Sequence, residues 1–90
     1  MGIQTGNLFV QVIDTQGEAL PGVVLTLSGP GAPHVQETNA FGQCQFPGLS
    51  SGSYTIKAEE EGFAPNSQPV TIHPGRNTDL GITLSPAIGE

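Results

Sequence analysis

Positive charge is nearly absent from this chain, and that absence excludes two large classes of partner. Its 90 residues include only two cations, Lys57 and Arg76, against eight carboxylates, so the formal net charge is −6. Proteins that bind nucleic acids or anionic membrane surfaces neutralise phosphates with clustered lysine and arginine. We therefore predict that this protein binds neither.

Cysteine and long apolar runs are scarce as well. A single residue, Cys44, cannot form a disulfide within the chain, so packing alone has to stabilise the fold. No apolar run approaches the roughly 20 residues that a membrane-spanning helix needs, so we expect no membrane insertion. Residues 1–6 lack the basic and apolar segments of a secretory signal. We expect either an intracellular protein or, as the low lysine and arginine content favours, a domain of a longer exported chain.

What the chain does have is turn-forming residues between short alternating runs. It contains 13 glycines and eight prolines, and they are spread between the apolar segments. The stretch 38–63 shows the pattern best, because Pro-Gly and Ser-Ser-Gly separate two runs that alternate between apolar and polar residues. Seven such runs predict seven strands, at residues 7–14, 23–28, 34–38, 43–46, 54–58, near 70–72 and near 80–84.

Seven short strands without an apolar stripe of helical period predict an all-β protein, a seven-stranded β-sandwich of Greek-key type. We take residues 1–90 as one module with a folded core at about 7–85. The third run is polar and is predicted to lie at a sheet edge. The alternation also predicts which side chains enter the core, and in the stretch 38–63 these are Cys44, Phe46, Leu49, Tyr54, Ile56 and Phe63.

Five segments together resemble one known family, at residues 10–25, 38–42, 46–49, 52–56 and 62–63. Their shared residues are turn formers and core positions. The pattern is similar to the carboxypeptidase regulatory-like domain, a transthyretin-like (prealbumin-like) β-sandwich related to the B-type repeats of collagen adhesins. The resemblance implies a non-catalytic accessory module of an exported or cell-surface protein, acting as a spacer, as a stabiliser of a neighbouring enzyme or as an adhesive and glycan-contacting unit.

The related collagen-adhesin repeats imply an isopeptide crosslink between a lysine on the first strand and an Asn or Asp on the last. The lysine has to be buried for this reaction, because it must lose its proton. Here the first strand directs Leu8, Val10 and Val12 inward and contains no lysine, while Lys57 has outward parity on the fifth strand. We therefore predict that no such crosslink forms.

Groups that could support catalysis or hold a cofactor are missing from the sequence pattern. His34 and His73 lie in separate segments without a second metal ligand at a useful spacing. No Gly-x-Ser-x-Gly elbow is present to expose a serine nucleophile. Cys44 is predicted to be buried and inert, because no cation lies near it in sequence to lower the pKa of its thiol. We predict no enzyme activity, no metal site and no cofactor.

A calcium-binding module that acts through end loops is one alternative. It would require the run Glu59–Glu61 to converge with Asp14, Glu18 or Asp79. Calcium loops usually alternate their oxygen ligands along one tight turn, and three adjacent carboxylates at a strand end do not provide that spacing. We favour a solvated charge cluster that discourages pairing with other chains at the sheet edge.

A carbohydrate-binding module that acts through end loops is the other alternative. Sugar binding needs exposed aromatic side chains, and the chain contains no tryptophan. Its one tyrosine, Tyr54, is predicted to point inward, which leaves Phe9 and Phe41. On aromatic content alone, sugar binding is therefore disfavoured.

Three apolar side chains define a candidate interaction face. Phe9 and Ile13 point outward on the first strand, and Val24 points outward on the second. If these two strands pair, the three side chains form an apolar patch of the kind that often contacts another protein. The leading interpretation is thus a structural spacer or protein-interaction domain, whose partners are neighbouring domains of a parent chain or another protein.

Overall fold

The computed structural model describes residues 4–87, and seven β-strands in that range form two packed sheets. The strands are β1 (Thr5–Asp14), β2 (Val24–Ser28), β3 (His34–Glu37), β4 (Gln43–Ser50), β5 (Gly52–Glu59), β6 (Asn66–Ile72) and β7 (Asn77–Leu84). One sheet has the order β4-β1-β7 and the other the order β3-β2-β5-β6. The predicted all-β sandwich is confirmed, as is the edge position of the third strand. Residues 1–3 of the N-terminal segment considered above lie outside the described residues.

The central strand of the three-stranded sheet is β1, which pairs on both sides. It is antiparallel to β4 and parallel to β7, and the parallel register runs through eight consecutive pairs, from Asn7 opposite Asn77 to Asp14 opposite Leu84. Two parallel neighbours cannot be joined by a tight turn, because the chain must return to the starting end. Here it returns through the other sheet, so that the first and last strands lie side by side.

The core lies between the two sheets and follows the alternation of the strands. One face of each strand carries apolar side chains, and these interdigitate across the sandwich. The buried apolar residues are Leu8, Val10, Val12, Val23, Leu25, Leu27, Cys44, Phe46, Leu49, Tyr54, Ile56, Ala58, Val70, Ile72, Ile82 and Leu84. Phe63 packs against this core while half-buried. The core positions predicted from the stretch 38–63 are therefore confirmed.

A bulge makes β4 longer than the predicted run 43–46. Pro47 and Gly48 do not end the strand; instead both lie opposite Asn7, because Phe46 pairs with Leu8 and Leu49 pairs with Gly6. Gly48 takes a φ of 66°, which favours glycine, and its N–H donates to the Asn7 Oδ1 atom at 3.0 Å. The strand therefore continues past the Pro-Gly pair that marked its end in the sequence.

Thr38 connects the start of β2 to the chain that leaves β1, and its side chain is buried. Its hydroxyl accepts the N–H of Val23 at 2.9 Å and donates to the carbonyl of Leu20 at 2.7 Å. Val23 is itself fully buried. The hydroxyl is thus the partner of a buried backbone donor that water does not reach.

We predict that Thr38→Val destabilises the domain by about 1–3 kcal/mol, because it keeps the side-chain shape but leaves the Val23 N–H buried and unpaired. Urea unfolding at equilibrium measures the loss. The matched control is Thr55→Val at an exposed position of β5, which should change stability by less than about 0.5 kcal/mol. Equal stability of the two variants would contradict the role given to the hydroxyl.

Candidate functional site

The outward side chains of β4, β1 and β7 form a face rich in amide groups, which we call the amide face. Alternation along the strands places on it residues Asn7, Phe9, Gln11, Ile13, Gln43, Gln45, Asn77, Asp79, Gly81 and Thr83. Neither of the two cations of the chain belongs to it, and Asp79 is its only carboxylate. The face is therefore polar without being strongly charged.

The three residues of the candidate interaction face do not come together. Phe9 and Ile13 lie half-buried on the amide face, but Val24 lies on β2 in the other sheet. β1 and β2 do not pair, because residues 15–22 carry the chain across to the opposite sheet; Val24 is flanked instead by Glu37 and Glu59. The condition for a single apolar patch is thus not met, and Phe9 and Ile13 remain as apolar residues of the amide face.

Two rows of side chains cross the amide face at its centre. In the first row Phe9 lies between Gln45 on β4 and Asp79 on β7. In the second row Gln11 lies between Gln43 and Gly81. These six positions line a shallow depression of about 520 Å³.

Gln11 is held in place by the turn between β3 and β4. Its Nε2 atom donates to the carbonyl of Phe41 at 2.9 Å and to that of Gly42 at 3.4 Å. Its Oε1 atom accepts a hydrogen bond from the Nε2 atom of Gln43 at 3.2 Å. Asn39 stabilises this turn, because its Oδ1 atom accepts hydrogen bonds from the N–H groups of Phe41 and Gln43. The two glutamine amides of the second row are therefore held in fixed orientations by the turn and by each other.

Cys44 is buried where the edge of β4 meets the edge of β3, as its alternation predicted. The side chain of Gln36 covers it: the Gln36 Nε2 atom donates to the carbonyl of Gln45 at 2.9 Å, and the Gln36 Oε1 atom lies 3.8 Å from the Cys44 sulfur. Burial raises the pKa of the Cys44 thiol, and a hydrogen bond with the Gln45 backbone offsets part of that rise. The Gln36 side chain blocks access to the sulfur, and burial lowers the fraction of reactive thiolate. Both make the thiol slow to react.

The lysine and the acidic residues serve local roles. Lys57 is half-exposed on the outer face of the four-stranded sheet, as predicted, with its Nζ atom 3.3 Å from the Glu59 carboxylate. The Asp14 carboxylate accepts hydrogen bonds from the N–H groups of Gln16 and Glu18 and so caps its own turn.

Within residues 4–87, no three side chains of His, Cys, Asp or Glu are close enough together to hold a metal ion. The same range contains no helix of the length and apolarity that a membrane crossing requires.

Two facing sheets with this strand order define a prealbumin-like β-sandwich module. The chain matches the carboxypeptidase regulatory-like domain family over residues 7–85, and it belongs to that family. The resemblance recognised in the sequence is thereby confirmed. Comparison with curated protein sequences gives no significant match.

Solved structures share the fold at low sequence identity. The TIE protein of Bacillus anthracis superposes with a TM-score of 0.83 and 18% identity, over 92% of this chain and 17% of that one. The minor pilin GBS52 of Streptococcus agalactiae gives a TM-score of 0.81 and 21% identity, over 100% of this chain and 48% of the pilin. The 3-chlorocatechol 1,2-dioxygenase of Rhodococcus opacus 1CP gives a TM-score of 0.72 and 11% identity, over 92% of this chain and 60% of the enzyme. The chain thus spans less than two thirds of the length of each of these proteins.

We predict that Gln36→Ala speeds the modification of Cys44 by a thiol reagent in the folded protein, because it removes the side chain that covers the sulfur. A colourimetric disulfide reagent follows the reaction. In the native protein the rate should go on rising above the pH at which an exposed thiol is fully ionised, because burial raises the pKa of Cys44 and the thiolate is the reactive form.

The control for this experiment is Gln16→Ala, which alters an exposed glutamine in the turn after β1. It should leave the rate of Cys44 modification unchanged. If Gln36→Ala reacts no faster than Gln16→Ala, then the backbone and core, and not Gln36, protect the thiol.

Proposed function

We propose that this domain is a non-catalytic accessory module of a larger exported or cell-surface protein, where it acts as a structural spacer between its neighbours or as a protein-interaction domain. One observation carries the spacer role: the first and last strands are parallel neighbours. A chain built in this way enters at one end of the sandwich and leaves at the other.

The two ends of the domain are held by backbone hydrogen bonds to the connections between strands. At the end where β1 begins, the N–H of Ser51 donates to the carbonyl of Gln4 at 2.8 Å. At the end where β7 stops, the N–H of Ala87 donates to the carbonyl of Gly62 at 2.9 Å. The molecule measures 54 × 22 × 16 Å along its principal axes. Neighbouring domains attached at Gln4 and Ala87 would therefore be held apart by the length of the paired strands β1 and β7.

The comparisons support this role at the level of protein class. The family is described as regulatory-like, and one of the structures that share the fold is a pilin in which this chain corresponds to about half the length. This supports a module within a longer surface protein. Because a dioxygenase also shares the fold, the fold alone does not assign the function.

Tension along the chain would act on the β1–β7 pairing in its strongest direction. When Gln4 and Ala87 are pulled apart, the eight paired positions of the two strands slide past each other, and their hydrogen bonds must break together. If the force is applied instead at the first residues of β1 and β7, which lie side by side, the same hydrogen bonds break one after another. A spacer in a surface protein benefits from the first arrangement, because it keeps its length under load.

We predict that the domain unfolds at a several-fold higher force when it is pulled through residues 4 and 87 than when it is pulled through residues 4 and 76. In both cases Cys44→Ala removes the native thiol and new cysteines carry the handles: Gln4→Cys with Ala87→Cys, and Gln4→Cys with Arg76→Cys. The second pair attaches beside the first residues of β1 and β7, which lie next to each other. Optical tweezers measure both forces.

The two doubly labelled proteins serve as each other's control, provided that they have the same melting temperature. Equal unfolding forces in the two geometries would contradict the spacer role under tension. That result would leave the protein-interaction role as the better account of the module.

A further inference from the structure

The centre of the amide face combines an aromatic side chain, oriented amides and an open space. Phe9 is half-buried between two exposed polar side chains, Gln45 and Asp79. Beside it the second row ends at Gly81, where no heavy atom lies within 4 Å of the position that a Cβ atom would occupy. The missing side chain leaves room next to the phenylalanine ring for part of a ligand.

The dimensions of this centre suit a single sugar ring. Neighbouring strands lie about 4.8 Å apart, so Gln45 and Asp79 stand roughly 10 Å from each other with Phe9 between them. A pyranose ring presents an apolar C–H surface that packs on an aromatic side chain and a rim of hydroxyls that both donate and accept hydrogen bonds. The Gln45 amide, the Asp79 carboxylate and the Gln43 amide offer both kinds of partner around the ring of Phe9.

Charge narrows the class of ligand further. Lys57 lies on the other sheet and Arg76 lies outside the lining of the depression, so a phosphate or another anion finds no cation there. Asp79 is the only carboxylate in the lining, which is too few for a cation site. A neutral, hydroxyl-rich ligand is what these side chains can satisfy.

A peptide strand suits this position less well. Peptides that add to a sheet pair with an open edge, whereas the backbone of β1 is already paired with β4 on one side and β7 on the other. A ligand at the centre of the amide face has to contact side chains. These side chains, one aromatic ring among amides and a carboxylate, differ from the apolar core of a typical protein–protein interface.

We propose that the centre of the amide face, formed by Phe9, Gln11, Gln43, Gln45, Asp79 and the space above Gly81, binds a neutral carbohydrate. Sugar binding was disfavoured from the sequence because only aromatic residues were considered, and few of them were expected to be exposed. The structure adds the amides of Gln11, Gln43 and Gln45 around Phe9, which come from β1 and β4, and the Asp79 carboxylate from β7. The site lies on a sheet face and not on the end loops.

The test is an NMR titration of the ¹⁵N-labelled domain with neutral hexasaccharides of glucose, mannose, galactose and xylose in both α- and β-linked series where they exist. We expect one of these sugars to shift amide signals of β1, β4 and β7 around the six positions. Gly81→Val places a side chain in the open space, where its Cβ atom meets no neighbour within 4 Å, and should weaken binding by about tenfold or more. Phe9→Ala should do the same by removing the aromatic surface.

Thr55→Val, on the outer face of the four-stranded sheet, is the matched control and should bind the sugar as the unaltered domain does. Because the half-buried Phe9 side chain also contributes to packing, Phe9→Ala could weaken binding by destabilising the domain. Gly81→Val tests the same site without removing a packed side chain. The proposal is overturned if no sugar in the panel shifts any signal, or if the shifts cluster at the end loops. Shifts of the amide face that depend on protein concentration and not on sugar would also overturn it, since they would indicate a contact between two copies of the domain.

Discussion

The parallel pairing of β1 with β7 is the constraint on which the rest of this structure depends. It makes β1 a central strand, so the three-stranded sheet exists only because the last segment of the chain returns to the first. It also determines that the chain enters and leaves at opposite ends. Finally, it places Asp79 and Gly81 beside Phe9 and Gln11, residues about 70 positions away in sequence. The β1–β7 pairing therefore determines both the separation of the two chain ends of the domain and the residues of the amide face.

The sequence predicts what is local and leaves open what is distant. Strand positions and the inward or outward direction of each side chain follow from alternation, which is why Tyr54 and Ile56 were placed in the core and Lys57 outside it. Sheet partners do not follow from alternation, because every strand with one apolar face fits either sheet. For this reason the sequence left open whether β1 pairs with β2, and the two strands lie in different sheets. Pro47 and Gly48 show a similar limit, since a bulge and a turn use the same residue types.

The amide face shows why a candidate site is harder to predict than a fold. Phe9 was recognisable in the sequence as an outward aromatic residue, and Gln43 and Gln45 as outward amides. Nothing in the sequence placed them on one surface, because the contact between β1 and β4 spans more than 30 residues. The orientation of Gln11 depends on the carbonyl of Phe41, which is a feature of backbone geometry that residue identity does not report.

The open edges of the sandwich decide where a partner is able to bind. A Pro69 within β6 removes one backbone donor from that edge. Gln36 bonds the carbonyl of Gln45 on the β4 edge, and the Asn66 side chain donates to the carbonyl of Thr83 on the β7 edge. Each device lowers the capacity of an edge to add a foreign strand. Lateral pairing is therefore disfavoured at three of the four edges, those of β4, β6 and β7. This leaves the two ends for neighbouring domains, and the β3 edge and the sheet faces for other partners.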